Sequence, residues 1–422
     1  MLYRKNHMLG NRIVALGLLL IFIALSFQTS TRFTHASSLD WSAVGTVPPS
    51  AESNLVFSVS VLSDPGYDAT MSIMRLPKTA IELMSSQIDQ SISEASMPTL
   101  AQVVSLSREC EINGLNAAPR GPWVAVELAC ANGHTTIINA VHGVVGEMKT
   151  IGAELGVNNV FLNWSPTGNE VVVRADVLGN PRVYLIHIID GKIIPLNLPG
   201  HTYDVTLSPN GQQMAYSLTR GLGFGSETWV ANLDGSEARL VISDPTHIIA
   251  YARFSPDGGK IAYIRMADSN IPFTVGELWV MNADGSRRTL LSQADAGHGY
   301  ASDWSPDSKQ IAFVYRENAG DVTADQVADR LVSNIYVADL GAHVVSAVTK
   351  FNAALVESPA WSSDGTAVAF SVRPVGGMAD VWVVSPNTLD RQAHQVTQNA
   401  NARYPTWLFG AQQPALLPTP GK

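Results

Sequence analysis

Charged side chains are scarce in this chain, and basic ones are scarcest. Only 15% of the 422 residues are charged, and Asp plus Glu outnumber Lys plus Arg by 36 to 27. No run of basic residues occurs beyond the N-terminal dozen, which argues against a surface that holds nucleic acid through its phosphates. So small a charged fraction suits a large β protein with an extensive core.

Several signatures of catalysis are absent as well. The sequence contains no Gly-x-Ser-x-Gly, no P-loop and no His-Glu-x-x-His pattern, which argues against the enzyme classes that those motifs serve. Two Asp-containing turns, at 232–235 and 282–285, lack the evenly spaced oxygen ligands of a calcium loop. We therefore expect neither a metal nor a cofactor.

Cysteine is nearly absent, since the chain has two. Cys110 and Cys130 flank a segment that turns at Pro119 to Pro122, and in a hairpin centred there facing positions sum to 240 or 241. Because 110 plus 130 is 240, the two are predicted cross-strand neighbours, and in an exported protein this predicts a disulfide. Two buried free thiols are the alternative. No Cys-x-x-Cys or His-x-x-x-His pattern accompanies them, so no zinc site is expected.

The longest uncharged apolar run lies at the N-terminus. Arg4, Lys5 and Arg12 precede an apolar segment at 13–27, and Thr34-His35-Ala36 offers the small residues that a signal peptidase recognises. The run is shorter than the ~20 residues that usually span a bilayer, which favours a cleaved signal over a permanent anchor. We therefore expect an extracytoplasmic protein, secreted or in the cell envelope, with a membrane tether through 13–27 as the alternative.

Repetition is what the chain has in abundance. One phrase, an aromatic or Leu anchor followed by Ser and a tight turn, returns along most of its length. The copies are Trp164-Ser165-Pro166-Thr167-Gly168, Leu207-Ser208-Pro209-Asn210-Gly211, Phe254-Ser255-Pro256-Asp257-Gly258, Trp304-Ser305-Pro306-Asp307-Ser308 and Trp361-Ser362-Ser363-Asp364-Gly365. The anchors are 43, 47, 50 and 57 residues apart, and a period of ~40 to 50 is that of a four-stranded propeller blade.

Each phrase is predicted to join two strands of a blade. The β-branched and aromatic runs that follow the phrases are 171–174, 214–218, 261–265, 311–315 and 368–372. Further runs follow each of these, and Asp-Gly at 234–235 and 284–285 predicts tight hairpins between them. Four strands cannot bury both of their faces alone, so the blades must stack around an axis. We interpret the Trp and Phe anchors as packing between blades, with ligand stacking as the alternative.

These residues resemble a known repeat family. Ser-Pro-Asp-Gly at 255–258, followed by 260–263 and by Glu-Leu-Trp-Val-Met-Asn-Ala-Asp-Gly-Ser at 277–286, is similar to the WD40-like (PD40) repeat of TolB-type β-propellers. The resemblance covers 116 to about 409 and implies a propeller fold. TolB itself begins with a separate α/β domain, and the region 37–110 is too short and too strand-rich to form it. Partners of the Tol system are therefore not carried over.

The two ends of the repeat array decide the number of blades. Residues 116–121 and the runs after them form a degraded copy, which makes six first strands. The segment 403–409 repeats only an opening strand, whereas 55–62 and 70–76 alternate like second and third strands without a first. We infer an all-β, seven-bladed propeller closed by a shared blade that removes the open sheet edges. Six blades with an N-terminal appendage are the alternative.

The expected organisation has four parts. They are a signal peptide or anchor at 1–36, N-terminal strands and a helix at 37–110, the propeller repeats at 111–409 and a disordered Pro-rich tail at 410–422. The helix is predicted from the capping box at 79–82 to the Met97-Pro98 pair. Its apolar stripe is Ile81, Met84, Ile88, Ile92 and Ala95, which we expect to pack on the propeller rim.

Polar and aromatic residues recur where one blade leads into the innermost strand of the next. These connections meet around one end of the central channel, the channel mouth. Loops between second and third strands, enlarged at 220–227, 267–276 and 316–332, emerge on the same face. The candidate binding residues are His201, Tyr203, His247, Tyr251, His298, Tyr300, Glu357, Arg403 and Tyr404. The alternative is that they merely line a wet channel rim.

The sequence therefore predicts an exported, non-catalytic, monomeric propeller. It would bind a protein, peptide or glycan partner of the cell envelope through the channel mouth and its loops. The fold alone does not name that ligand. The alternative is an extracytoplasmic lyase or hydrolase that holds a metal with His and Glu side chains in the channel.

Overall fold

The computed structural model describes residues 53–61, 70–86, 101–106, 110–130, 135–143, 145–156, 158–177, 180–296, 301–388 and 391–408. These residues form seven four-stranded antiparallel sheets, one α-helix and two single-turn 3-10 helices, at Ala153–Leu155 and Ala328–Arg330.

Six of the sheets are continuous in sequence, and the seventh combines both ends of the chain. The N-terminal elements are β1 (Asn54–Val61), β2 (Thr70–Pro77), α1 (Lys78–Ser86) and β3 (Ala101–Leu106). Blade 1 is β4 (Cys110–Ala117), β5 (Trp123–Cys130), β6 (Thr135–His142) and β7 (Met148–Ile151). Blade 2 is β8 (Asn159–Trp164), β9 (Glu170–Val177), β10 (Asn180–His187) and β11 (Ile193–Pro195). Blade 3 is β12 (Thr202–Leu207), β13 (Gln213–Leu218), β14 (Ser226–Asn232) and β15 (Arg239–Asp244).

The remaining blades follow in the same way. Blade 4 is β16 (His247–Phe254), β17 (Lys260–Ala267), β18 (Val275–Asn282) and β19 (Thr289–Asp295). Blade 5 is β20 (Asp303–Trp304), β21 (Gln310–Arg316), β22 (Ser333–Asp339) and β23 (Val344–Ala347). Blade 6 is β24 (Ala354–Trp361), β25 (Val368–Pro374), β26 (Asp380–Val384) and β27 (Ala393–Gln395), and the last strand is β28 (Ala402–Leu408).

The seventh blade is shared by the two ends of the chain. Its strand order is β28-β1-β2-β3, and β28 pairs antiparallel with β1 through contacts such as Val56 opposite Thr406. The Ser58 hydroxyl adds a bond to the carbonyl oxygen of Arg403 at 3.1 Å. The predicted seven-bladed propeller is therefore confirmed, and the six-bladed alternative is wrong. Strand β3, the outermost of this blade, is an element that the sequence patterns did not predict.

The repeated phrase forms a turn that its own side chains hold. In blade 4 the Ser255 hydroxyl donates to Asp257 Oδ1 and accepts the backbone N–H of Lys260 at 2.9 Å. Asp257 Oδ1 accepts the N–H of Gly259, and Gly258 has a φ of 72°, a conformation that glycine adopts without strain. Ser, Asp and Gly in this spacing therefore specify the turn that joins the first two strands of a blade.

The aromatic anchors join neighbouring blades, as the sequence interpretation proposed. The indole N–H groups of Trp164 and Trp304 donate to carbonyl oxygens of the preceding blade, those of Asn116 at 2.9 Å and Arg253 at 3.1 Å. Both rings are buried in cores built from two blades. Each anchor thus contributes apolar burial and one buried hydrogen bond to the contact between blades.

The two cysteines form the predicted disulfide. Cys110 begins β4 and lies directly opposite Cys130, which ends β5, with 3.9 Å between their Cα atoms. The register of this hairpin includes Ala117 opposite Val124, whose positions sum to 241. The bond ties the innermost strand of blade 1 to its neighbour next to the closing blade.

Helix α1 fastens the closing blade to blade 6. It begins at Lys78, one residue before the predicted capping box, and the Lys78 ammonium pairs with Asp364 in a blade 6 turn and with Glu82. Ala80 and Ile81 are buried in the core shared by blades 6 and 7. The predicted continuation through Ile88, Ile92 and Ala95 lies outside the described residues, as do 1–36 and 410–422. No helix in the described part of the chain is long and apolar enough to cross a membrane.

Antiparallel strands distribute the connections over two faces. The loop face carries the connections 219–225, 268–274, 317–332 and 375–379 and the entries into the innermost strands. The turn face carries the repeated Ser turns and the hairpins at 233–236 and 283–286. The channel mouth lies on the loop face.

Candidate functional site

A bulge bends several innermost strands just below the loop face. The pairing register shifts between 250 and 253 in β16, between 357 and 360 in β24 and between 403 and 406 in β28. Tyr251, Ser358 and Tyr404 sit in these bulges, each with a left-handed φ of 56°. A non-glycine residue in this conformation costs on the order of 1–3 kcal/mol, so surrounding contacts must hold it. The repeat therefore places the same bend at the same height in three blades.

Three of the predicted tyrosines contribute to contacts between blades. The Tyr203 hydroxyl donates to the carbonyl oxygen of Ile249 in blade 4, and burial raises the pKa of this phenol. Tyr404 is buried in the core between blades 7 and 1, and Tyr251 packs against the core between blades 4 and 5. The buried aromatic surface of these tyrosines therefore stabilises the packing of neighbouring blades close to the channel mouth.

The other predicted residues take different environments. His201 is exposed beside β12, whereas Glu357 is buried within β24. Arg403 is half-buried in β28, and His247 lies in an ionic cluster between blades 3 and 4. His298 and Tyr300 lie outside the described residues. The described candidates thus share one end of the innermost strands.

A set of polar residues that the sequence analysis missed surrounds the axis. Each lies two residues before the Ser of its phrase or close to it, so a fixed offset in the repeat is the signal that could have found them. Asn163 Nδ2 donates to Thr206 Oγ1 at 2.8 Å, from blade 2 to blade 3. Arg253 forms an ion pair with Asp204 at 3.2 Å, from blade 4 to blade 3. Side chains at the inner edge of the blades therefore bind each other across blade boundaries.

Asp303 occupies the same repeat position in blade 5. Its Oδ2 accepts the backbone N–H of Trp361 in blade 6 at 2.6 Å. Burial raises the pKa of this carboxyl to about 6, although the N–H groups of Trp361 and Trp304 and the nearby Arg253 act to lower it. This group therefore changes charge close to neutral pH, unlike an ordinary aspartate.

A buried arginine, Arg316, holds the longest loop of the loop face, 317–332, in place. Arg316 is fully buried and pairs with Asp295 at 3.1 Å and with Asp325 of the 317–332 loop at 3.5 Å. It also donates to the carbonyl oxygen of Phe273 in the neighbouring loop. An apolar cluster of Phe273, Ala324, Leu331 and Leu355 lies beside this ion pair. The two loops therefore form one packed unit.

A glycine-rich loop next to it is held just as firmly. The backbone N–H groups of Gly223 and Gly225 both donate to Asp268 Oδ2 in blade 4, at 2.7 and 2.8 Å. A Cβ at Gly225 would lie 2.0 Å from the Asp244 carbonyl oxygen, so only glycine fits there. The same loop leaves Leu222 45% and Phe224 67% exposed. Ordered backbone thus presents two apolar side chains to solvent.

Exposed apolar side chains recur on the next three loops as well. Together they form what we call the apolar rim. Its members are Leu222, Phe224, Ile271, Val322, Val327, Val375 and Met378, all at least 37% exposed. The other exposed large apolar residues are scattered over hairpins and outer strands. These positions lie in loops whose lengths differ between repeats, so the repeat pattern gave no signal for them.

The described residues contain no group of three or more His, Cys, Asp or Glu side chains that could hold a metal ion.

Comparison with known proteins supports a TolB-like propeller. No family model matches the chain. A Tol-Pal system protein TolB of Anaeromyxobacter dehalogenans is 30% identical over 82 residues, 19% of this chain and 18% of that protein. A second strain of that species gives 29% over 82 residues. The match thus spans less than a fifth of the length of the curated relatives, and it supports a likeness to part of TolB.

The chain is also similar to solved structures. A prolyl endopeptidase structure superposes with a TM-score of 0.52 at 12% identity, covering 82% of this chain and 50% of that one. TolB from Acinetobacter baumannii gives a TM-score of 0.44 at 15% identity, covering 83% of this chain and 82% of that one. At these identities the likeness concerns architecture alone.

Proposed function

We propose that this protein is an exported, non-catalytic TolB-like propeller that binds a protein partner of the cell envelope through its loop face. The observation that carries the proposal is the apolar rim. Four successive loops expose large apolar side chains on one face, and clustered exposed apolar area commonly marks a site of interaction.

The loops of the loop face are conformationally ordered, which supports a binding role. Asp268 holds the glycine-rich loop, and Arg316 with Asp295 and Asp325 holds the long loop. A surface that is already ordered loses little conformational entropy on binding, so more of its contact energy appears as affinity. An exposed aromatic residue such as Phe224 is the kind of side chain that anchors an interface.

The disulfide supports the expected location. Cys110 and Cys130 pair within blade 1, and such bonds persist in oxidising compartments outside the cytoplasm. The N-terminal apolar run at 13–27 fits export, as a cleaved signal or as a tether.

A matched pair of double variants tests the proposal. Leu222→Ser with Phe224→Ser removes apolar area from the loop face, and Ile189→Ser with Val344→Ser removes apolar side chains of similar exposure on the turn-face side. Mature protein and both variants are immobilised and exposed to an envelope extract, and retained proteins are identified by mass spectrometry. We expect a specific protein that the turn-face variant retains and the loop-face variant loses. Equal retention by both variants would place the binding surface elsewhere.

A further inference from the structure

A cleft of about 330 Å³ opens in blade 4, beside the 268–274 loop that joins β17 to β18. It lies on the side of blade 4 that faces blade 3, where β17 ends and β18 begins. Its lining residues are His247, Arg265, Ala267, Val275, Gly276, Glu277, Leu290 and Gln293. Sites for small ligands occupy about 300–1,000 Å³, so this cleft is at the lower end of that range.

One guanidinium fixes the polar wall of the cleft. Arg265 Nε donates to Asp244 at 2.8 Å, and its two terminal nitrogens donate to Glu277 at 3.0 Å and to His247 Nδ1 at 2.9 Å. A second bond to Glu277 comes from the Trp279 indole N–H at 2.8 Å. These bonds hold the carboxylate and the imidazole in place before any ligand arrives, which lowers the entropic cost of binding.

The same bonds decide what each group offers to a ligand. His247 Nδ1 lies 2.9 Å from an Arg265 nitrogen, 2.8 Å from Thr246 Oγ1 and 3.1 Å from Asp244 Oδ1, so these neighbours occupy Nδ1 and Nε2 is the ring nitrogen left for a ligand. Glu277 uses Oε2 for both Arg265 and Trp279, which leaves Oε1 as an acceptor. Gln293 donates its Nε2 to the carbonyl oxygen of Arg316, which leaves its Oε1 as another acceptor. Among the described residues the cleft thus offers two acceptor oxygens and the imidazole Nε2 of His247, a polar set that suits hydroxyl groups, which both donate and accept.

Apolar surface completes the cleft. Leu290 is 49% exposed, and Val275 and Ala267 lie beside it. A ligand that matches this site needs hydroxyl groups that both donate and accept, together with a C–H face. We propose that the cleft binds one or two rings of a neutral saccharide.

Charge argues against two other ligands. Burial acts to raise the pKa values of Asp244 and Glu277, but hydrogen bonds from Arg265 and Trp279 outweigh it and keep both pKa values below their usual ranges. Two ionised carboxylates against one guanidinium disfavour an acidic sugar or another anion. A lysine ammonium would suit the two acceptor oxygens but would leave the exposed apolar surface of Leu290 without a matching C–H face.

Ligand-observed NMR on the full-length protein tests this assignment. The neutral probes are maltose, cellobiose and N,N′-diacetylchitobiose, the acidic probe is digalacturonate, and the ammonium probe is Nα-acetyl-lysine methyl ester. We expect saturation transfer to at least one neutral disaccharide and none to the other two probes. Glu277→Gln should weaken that binding at least about tenfold, because a charged acceptor is lost. Leu290→Ala should weaken it as well, and the exposure of Leu290 makes a folding defect unexpected.

Glu227→Gln is the matched control. Glu227 makes the same bond to Trp229 in blade 3, at 3.0 Å, and lies outside the cleft. Unchanged binding in this variant supports the site. Three results overturn the proposal: no transfer to any neutral probe, preference for the lysine ester or digalacturonate, or equal loss in the Glu227 and Glu277 variants. The partner test uses Leu222 and Phe224, which do not line the cleft, so failure of the saccharide proposal would leave the proposed protein partner unaffected.

Discussion

Trp304 donates its indole N–H to the carbonyl oxygen of Arg253 across the boundary between blades 5 and 4, at 3.1 Å. Trp361 occupies the same repeat position in blade 6 and is equally buried, but its indole nitrogen has no hydrogen-bond partner among the described residues. The same Trp at the same repeat position thus forms an indole hydrogen bond to the preceding blade in blade 5 and forms none in blade 6.

This difference predicts unequal effects of one substitution. Trp304→Phe removes ring area and a buried hydrogen bond, whereas Trp361→Phe removes ring area and an unsatisfied donor. We expect Trp304→Phe to cost about 1 kcal/mol more free energy of unfolding than Trp361→Phe. Urea unfolding of both variants measures the difference. Equal losses of unfolding free energy in the two variants would show that the anchors stabilise the protein through packing of their aromatic rings alone.

The closing blade predicts a strong effect of a short truncation. Deleting 402–422 removes β28, so β1 keeps β2 but loses its partner on the other side, and the propeller opens. We expect a broad, non-cooperative thermal transition, monitored by circular dichroism. The control deletes 409–422 and keeps β28, and it should melt like the full chain. A sharp transition in the shorter protein would contradict closure by β28.

The disulfide predicts a stability change and a chemical result. Replacing Cys110 and Cys130 by Ser opens a loop of 20 residues, which should cost about 3 kcal/mol. Thiol titration of the denatured, unreduced mature protein should find no reactive thiol. Two reactive thiols per chain would show that the bond does not form in the natural compartment.

Asp303 predicts a pH dependence. Its pKa of about 6 lies above that of an unfolded aspartate, so between about pH 4 and 6 the folded state binds more protons than the unfolded state. The free energy of unfolding should therefore fall as pH rises through that window, by on the order of 1–3 kcal/mol. Asp303→Asn keeps an acceptor for the Trp361 N–H and cannot ionise.

The Asp303→Asn variant should match the natural protein near pH 4 and exceed its stability above pH 6. Denaturant unfolding at half-unit pH steps gives both curves. Parallel curves would show that another group causes the dependence.

Asp268 predicts the behaviour of the glycine-rich loop. Asp268→Ala removes the acceptor of the Gly223 and Gly225 N–H groups, so amide hydrogen exchange at both glycines should accelerate while blade cores stay protected. Phe224→Ala should leave the melting temperature within about one degree, since that ring is 67% exposed. Unchanged exchange in the Asp268 variant would mean that other contacts order the loop.

Local rules were enough to predict much of the fold. Ser-Pro-Asp-Gly specifies a turn through its own side chains, and each blade has one such turn. The spacing between copies of the phrase therefore indicated where successive blades begin. The hairpin sum predicted that Cys110 faces Cys130 because both ends of one short hairpin follow from its turn. The shared blade was predicted because the C-terminal segment repeats only a first strand of a blade. The N-terminal segments resemble second and third strands that have no first strand of their own.

The functional surface could not be predicted in the same way. The exposure of Phe224 depends on Asp268, a residue from another blade that holds its loop. The raised pKa of Asp303 depends on burial at the inner edge of the propeller, and the cleft depends on how four strands of blade 4 bring residues from 247 to 293 together. Such properties arise from residues that lie 40 or more positions apart, and no local pattern encodes them.

The pairing of β28 with β1 also orders events in time. The Ser58 hydroxyl donates to a carbonyl oxygen 345 residues later in the chain, so synthesis must have passed β28 before the propeller can close. The entropic cost of closing so long a loop is only slightly larger than that of closing a shorter one, because the cost grows with the logarithm of loop length. Synthesis therefore delays closure more than thermodynamics does, and until β28 arrives the exposed edge of β1 remains the place where a newly made chain is most open to pairing with another.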